Sequence, residues 1–400
     1  MSSSRRDFFR QFALTAGVAS TVVPPALASP DQTARKPMPP AGSASAPVGV
    51  VTPDVPHLPF ERDGAVKVFR LRAEPVRTEF VPGRVVDAWG FNGSVPGPTI
   101  EVNEGDTVRI IVENKLPEVF APHWHGLEVP IAMDGVPGIT QDPIQPGGSF
   151  TYEFTLHQNG TFFYHSHMAM QEMMGMIGLF IIHPRVAHDP PVDRDFGFIL
   201  QEWMIQPNNT VPNTLAMEFN WLTMNGKSGP ATTPLIVKRG ERVRIRFVNM
   251  GMDHHPIHMH GHQFVVTGTE AGRAGGPFTF FENTVIVGVA QARDVEFVAQ
   301  YSGDWMLHCH LPHHMMNQMV AMVGPMMVDP SAPSAKVSGY PQDMWMPMDE
   351  LAGKKPEIYG LRESWTGAMM GMMTLVRVVE PDLYAKIEQL RAAKGAEVAR

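Results

Sequence analysis

The chain has 400 residues, 44% hydrophobic and 18% charged, the composition of a folded protein with a buried core and not of a disordered or coiled-coil chain. A formal charge of −8 argues against general nucleic-acid binding. A single cysteine removes any internal disulfide framework and any multi-cysteine zinc site, while 28 methionines and 17 histidines are numerous soft or borderline metal-ligand side chains.

In chain order, residues 1–28 read as a twin-arginine export signal. Arg5-Arg6 precedes a short apolar stretch from Phe12 to Val23, and Ala26-Leu27-Ala28 supplies the cleavage pattern. This stretch is too short to span a bilayer, and no later run of ~18 apolar residues follows, so the expectation is a periplasmic or otherwise exported protein with no membrane span. Residues 29–61, rich in Pro and Ala, read as a flexible tether. Beyond Gly64, short β-branched and apolar runs alternate with turn residues, as at Val66 to Leu71, Thr107 to Val112, Phe150 to Phe154 and Gly178 to Ile182. This density of short strands predicts an all-β fold of sandwich or barrel type. Helical periodicity is convincing only from Leu383 to Ala399, inside a Met-rich C-terminal extension over residues 331–400.

An internal repeat organises the middle of the chain. Residues 100–114 align without gaps on residues 235–249, setting Gly105 on Gly240 at an offset of 135, and the same offset sets His123-Trp124-His125-Gly126 on His258-Met259-His260-Gly261. Later in each half, His165-Ser166-His167 aligns with His308-Cys309-His310 at an offset of 143. Two domains of one kind are therefore expected over residues 62–188 and 189–330.

Residues i and i+2 of a strand share a face, so each HxH presents two imidazoles to one side, which is half a metal site. Four such pairs occur: His123 and His125, His165 and His167, His258 and His260, His308 and His310. Eight imidazoles suit copper or zinc better than magnesium or calcium. The second half adds Cys309, His314 five residues on, Met319 ten residues on, and His255 three residues before His258. Two histidines, a thiolate and a weak axial thioether are the donor set of a blue-copper site. The first half has Ser166 and Gln171 at the matching positions and cannot hold that site. One thiolate copper joined through Cys309 to a cluster of three coppers would store the four electrons that turn O2 into two waters.

The segments HWHG, HSH, HPIHMHGH and HCHLPHHMMNQM, at residues 123–126, 165–167, 255–262 and 308–319, resemble those of the multicopper oxidases. The resemblance implies two cupredoxin-like Greek-key domains and four coppers per chain: one type 1, one type 2 and two type 3. It implies type 1 ligation by His255, Cys309, His314 and Met319, and type 2 ligation by His123 and His258. His125, His165, His167, His260, His308 and His310 match the type 3 pair. Asp134 resembles the family's acidic residue that passes protons to oxygen, although a turn residue before Gly135 would look the same. Bacterial relatives often carry a carboxylate directly after the last type 1 histidine; this chain has Met315 there, with Glu282 and Glu172 as candidate substitutes.

Only 88 residues separate His167 from His255, too few for a third domain. The chain therefore resembles the two-domain, small-laccase-like type with its type 1 copper in the second domain, in which the cluster lies between subunits of a homotrimer. The expected reaction takes electrons from Cu(I), another metal ion or phenols and passes them to O2. The methionine clusters around Met168 to Met176, Met315 to Met322, Met344 to Met348 and Met369 to Met373 are either Cu(I) docking sites or adaptable core filler. The alternatives are a laccase acting mainly on phenols, or a non-enzymatic copper-binding or electron-transfer protein. A two-cupredoxin nitrite reductase is disfavoured by the second histidine after Cys309.

Overall fold

Alternation sets the strands of the first domain: along Thr107–Asn114 every second residue is buried, with Val108, Ile110 and Val112 facing inward, the pattern of a sheet with one face on a core. The computed structural model describes residues 47–206, 208–274, 280–316, 328–329, 332–336 and 348–398. The first domain is a sandwich of two sheets. One holds Phe60–Asp63, Val66–Glu79, Thr107–Asn114 and Ser149–Thr155 in that order, with Val85–Phe91 paired to Val66–Glu79. The other runs Gly97–Asn103, Ile177–His183, Gly160–Ser166 and Pro122–His125. Phe69, Ile110, Trp124, Tyr152, Tyr164 and Phe180 fill the space between them, and each such side chain contributes ~1.5–3 kcal/mol of burial.

The second domain repeats the plan. One sheet contains Val50–Val51, Arg194–Trp203, Arg242–Asn249, Gln291–Val298 and Phe264–Thr269, and its partner runs Leu235–Lys238, Met373–Val379, Gly303–Cys309, His255–Met259 and Thr284–Val287. Gly97–Asn103 beside Ile177–His183 and Leu235–Lys238 beside Met373–Val379 are both parallel pairs, so the duplication extends from sequence to strand topology. The all-β expectation holds, and among the described residues the one long helix is Pro381–Val398.

Two expected boundaries move. The tether ends earlier than residue 61, because Val50–Val51 pairs with Arg194–Trp203, Leu58 packs in the first core, and Phe60–Asp63 is a strand of the first sandwich. The C-terminal extension is not an appendage, since Met373–Val379 lies between Leu235–Lys238 and Gly303–Cys309 in the second sandwich. The tail methionines Met369, Met372 and Met373 are accordingly core residues, at most 2% exposed. The signal region, Met319, Met322, Met344 and Met346 lie outside the described residues.

A buried polar group links the sandwiches. Thr161, on the strand that carries His165, donates to Asp294 (2.6 Å) and accepts from the Arg246 guanidinium (2.6 Å), which also donates twice to Asp195 at 2.8 Å.

Candidate metal centre

Strand register builds two quartets of histidines. His123 stands opposite His165, and His258 opposite His308, so each HxH of one strand meets an HxH of its neighbour on a shared face. In the first domain the ring centroids of His123 lie 5.5 Å from both His165 and His167, and His125 lies 5.6 Å from His165. In the second, His258 lies 5.7 Å from His308 and 5.5 Å from His310, while the Nε2 atoms of His260 and His308 are 3.1 Å apart. Among the described residues, no ring contact joins one quartet to the other.

Backbone carbonyls fix the tautomers. Nδ1 of His123 faces the Asp134 carbonyl (2.8 Å), that of His165 the Ser166 carbonyl (2.9 Å), that of His258 the Asn283 carbonyl (2.7 Å), and that of His308 the Cys309 carbonyl (2.8 Å). A carbonyl can only accept, so each Nδ1 carries the proton and each Nε2 presents a lone pair. His165 Nε2 is buried with no hydrogen-bond partner, as a metal ligand would be. Burial, followed by neighbouring imidazoles, holds His125 neutral down to a pKa of about 4, and burial likewise lowers His308 to about 4. Neutral imidazoles are the metal-binding form.

The second set of donors lies inside the second sandwich. Cys309 is fully buried, its Sγ 3.4 Å from Nδ1 of His314 and 3.7 Å from Nδ1 of His255, and the two Nδ1 atoms are 3.1 Å apart. Burial pushes the thiol up to about 12 and His314 down to about 4, so the pocket disfavours charge unless a cation balances it. A soft thiolate flanked by two imidazole nitrogens fits copper. Because alternate strand residues face opposite ways, Cys309 points into the sandwich while His308 and His310 belong to the quartet, which joins the two sites covalently.

The first domain has the same pocket with different side chains. Phe120, Ser166 and Gln171 stand where the second domain has His255, Cys309 and His314, and the Ser166 hydroxyl donates to Gln171 Oε1 (2.8 Å).

Four carboxylates flank these groups. Asp134, just after the short helix Ile131–Met133, places Oδ1 3.5 Å from Nδ1 of His123, and Glu172 Oε1 is 3.0 Å from Nδ1 of His165. Of the two substitutes considered for a second acid, Glu172 is the one in contact with a site histidine. Sequence reasoning missed Glu202, which is fully buried with Oε1 2.8 Å from Nε2 of His255 and accepts the Met252 backbone N–H at 2.7 Å. Asp253 Oδ2 lies 3.6 Å from Nε2 of His314. Fifty residues separate Glu202 from Met252, so only tertiary pairing brings it to the site.

The fold and the donor sets define a copper protein built from two cupredoxin sandwiches. Two sequence families, both described as multicopper oxidase, match residues 74–187 and 204–326. The chain is similar to the solved structure of multicopper oxidase mgLAC, with 32% identity, 62% of this chain and 81% of that one covered, and a TM-score of 0.55. It is also similar to the blue copper oxidase of Nitrosomonas europaea, with 26% identity, 80% and 93% coverage, and a TM-score of 0.59. Copper resistance protein A of Pseudomonas syringae pv. tomato is 34% identical over 148 residues, which are 37% of this chain and only 24% of that relative. The chain belongs to the multicopper oxidase family.

Proposed function

We propose that this protein oxidises its substrate one electron at a time at a type 1 centre held by His255, Cys309 and His314, and reduces O2 to water at a trinuclear centre drawn from both histidine quartets. Bound copper would supply the redox chemistry: one site accepting single electrons, and a cluster delivering four to oxygen. The chain continuity of Cys309 with His308 and His310 would offer bound copper a route between the two sites. His123 and His258 would hold the type 2 position, and the other six histidines the type 3 pair. Asp134 beside His123 and Glu172 beside His165 are placed to hold protons for the oxygen chemistry.

The observation that carries this reading is the presence of two four-histidine quartets and one buried Cys-His-His pocket, the second quartet joined to that pocket through the consecutive residues His308, Cys309 and His310. A carrier would need only the pocket. Within one chain the quartets do not meet, which supports a homotrimer that closes each cluster between neighbouring subunits. Exposed Ile131 lies in the short helix that ends at Asp134, and exposed Ile286 stands opposite Pro256 on the strand of His258, apolar side chains that such an interface would cover.

Cu(I) is the favoured substrate, with other metal ions and phenols accepted. The copper-resistance relative and the carboxylates Glu202 and Asp253 beside the type 1 histidines support a cation. The twin-arginine pattern supports export to the periplasm; no helix of the described residues is long and apolar enough to cross a membrane.

Copper per chain and particle mass after anaerobic loading and desalting test the proposal. About four coppers per chain in a particle of three chains is the expected result. About one copper in a monomer would refute the oxidase and leave the electron-transfer reading.

A further inference from the structure

The spacing of ten residues from Cys309 points to Met319 as the axial thioether, but the duplicated architecture points elsewhere. In the first domain, Met176 lies ten residues after Ser166, the counterpart of Cys309, and its carbonyl accepts the Ser166 backbone N–H at 3.1 Å. The strand Ile177–His183 follows directly, with Ile177 opposite His165. In the second domain, the residue whose carbonyl accepts the Cys309 backbone N–H, at 3.0 Å, is Met372. The strand Met373–Val379 follows directly, with Met373 opposite His308. Sequence agrees with register: Met173-Met174-Gly175-Met176 and Met369-Met370-Gly371-Met372 are the same four residues in the same place. Met372 is the structural counterpart of Met176, and it comes 63 residues after Cys309 instead of ten.

Met372 is also tied to the other ligand. Its backbone N–H donates to the His314 carbonyl at 3.0 Å, so one residue is bonded to the main chains of both Cys309 and His314. Gly371 enforces the approach, since it has φ +63° and a Cβ there would overlap the His314 carbonyl oxygen. The Met372 side chain is fully buried in the cluster that contains Cys309. The first domain has the same relation in apolar form, with Phe120 and Met176 in one cluster.

We infer that Met372, which directly precedes the last sandwich strand and is bonded to the main chains of Cys309 and His314, would supply the thioether that joins His255, Cys309 and His314 in holding a type 1 copper. This rests on the copper reading above. A thioether sulfur at the axial position is a weak ligand whose identity tunes the reduction potential of a blue site. His314 and Met372 then both belong to the copper site.

The test uses the full copper-loaded chain and the variants Met372→Leu, Met372→Gln and Met319→Leu, read by blue absorption, electron paramagnetic resonance and reduction potential. Leu conserves volume in the core and removes the sulfur, whereas Gln replaces it with an oxygen donor. The expected result is a higher potential with Met372→Leu, a lower one with Met372→Gln, altered blue-site spectra in both, and wild-type spectra and potential with Met319→Leu. Shifts with Met319→Leu and none with the Met372 variants would overturn the assignment, as would no shift in any variant. Should the Met372 variants fail to fold, selenomethionine-labelled Met319→Leu protein must still show a selenium neighbour of the thiolate copper by X-ray absorption; its absence overturns the assignment. A wild-type chain that binds copper without blue absorption would overturn this inference together with the copper reading beneath it, a result distinct from any difference among variants.

Discussion

Thr161→Val tests whether the charged contact between the sandwiches holds the first quartet in place. Valine matches threonine in shape but lacks the hydroxyl that donates to Asp294 and accepts from Arg246, both at 2.6 Å. All three side chains are buried, and burial raises the Asp294 pKa even with Arg246 beside it, so the carboxylate depends on every donor it has. Hydrogen bonds to charged groups are worth ~1.5–3 kcal/mol each, and the ion pair of Arg246 with Asp294, at 3.4 Å, survives the substitution. The net loss is therefore about 3 kcal/mol. Thr161→Ser keeps the hydroxyl and removes one methyl, for about 1 kcal/mol. Urea unfolding of the metal-free protein measures both variants. A Thr161→Val protein within about 0.5 kcal/mol of wild type, or a Ser variant as damaged as the Val variant, would refute the reasoning.

Three further outcomes follow from other parts of the structure. Burial alone would raise the Glu296 carboxyl, but the charges of Arg244, Arg273 and Arg242 outweigh it and hold the group at about 2. Its folded-state pKa is thus below the ordinary value of 4.5, so its contribution of about 3 kcal/mol is complete above pH 4.5 and is lost as pH falls toward 2. Glu296→Gln should flatten the stability profile across that window, and an unchanged slope would contradict the assignment. A chain ending at residue 330 loses the strand between Leu235–Lys238 and Gly303–Cys309. It should lose near-ultraviolet circular dichroism, and retention of native ellipticity would show that the strand is dispensable. Glu202→Gln removes the negative charge 2.8 Å from His255 and should raise the type 1 potential in voltammetry with copper content unchanged; an unaltered potential counts against that role.

The HxH pairs were legible because a period of two puts them on one face and because duplication repeated them at fixed offsets. His255, Cys309 and His314 were legible from their order in the second half alone, and the structure gathers their ligand atoms into one buried group. The last strand of the second sandwich was not legible. The Met-rich run after His314 offers a methionine at the spacing of ten, and only pairing of Met373 with His308 reveals that the chain returns much later. Glu202 was hidden near the end of the strand Arg194–Trp203, where a carboxylate beside Gln201 gives no local sign of a partner fifty residues further on. The N-terminal boundary was missed because proline-rich composition resembles a linker even where Leu58 is in the core.

The Ser166 pocket of the first sandwich, which lacks the thiolate and imidazole donors of its twin, has a consequence for engineering. Phe120, Ser166 and Gln171 occupy a backbone frame that matches the one around Cys309, down to the carbonyl of Met176. Three side-chain exchanges, to histidine, cysteine and histidine, would give that frame the donors its twin already has. Under the proposed function such a chain would carry two electron inlets, and its turnover relative to the parent would tell whether the proposed oxygen reduction or the supply of electrons is the slower step.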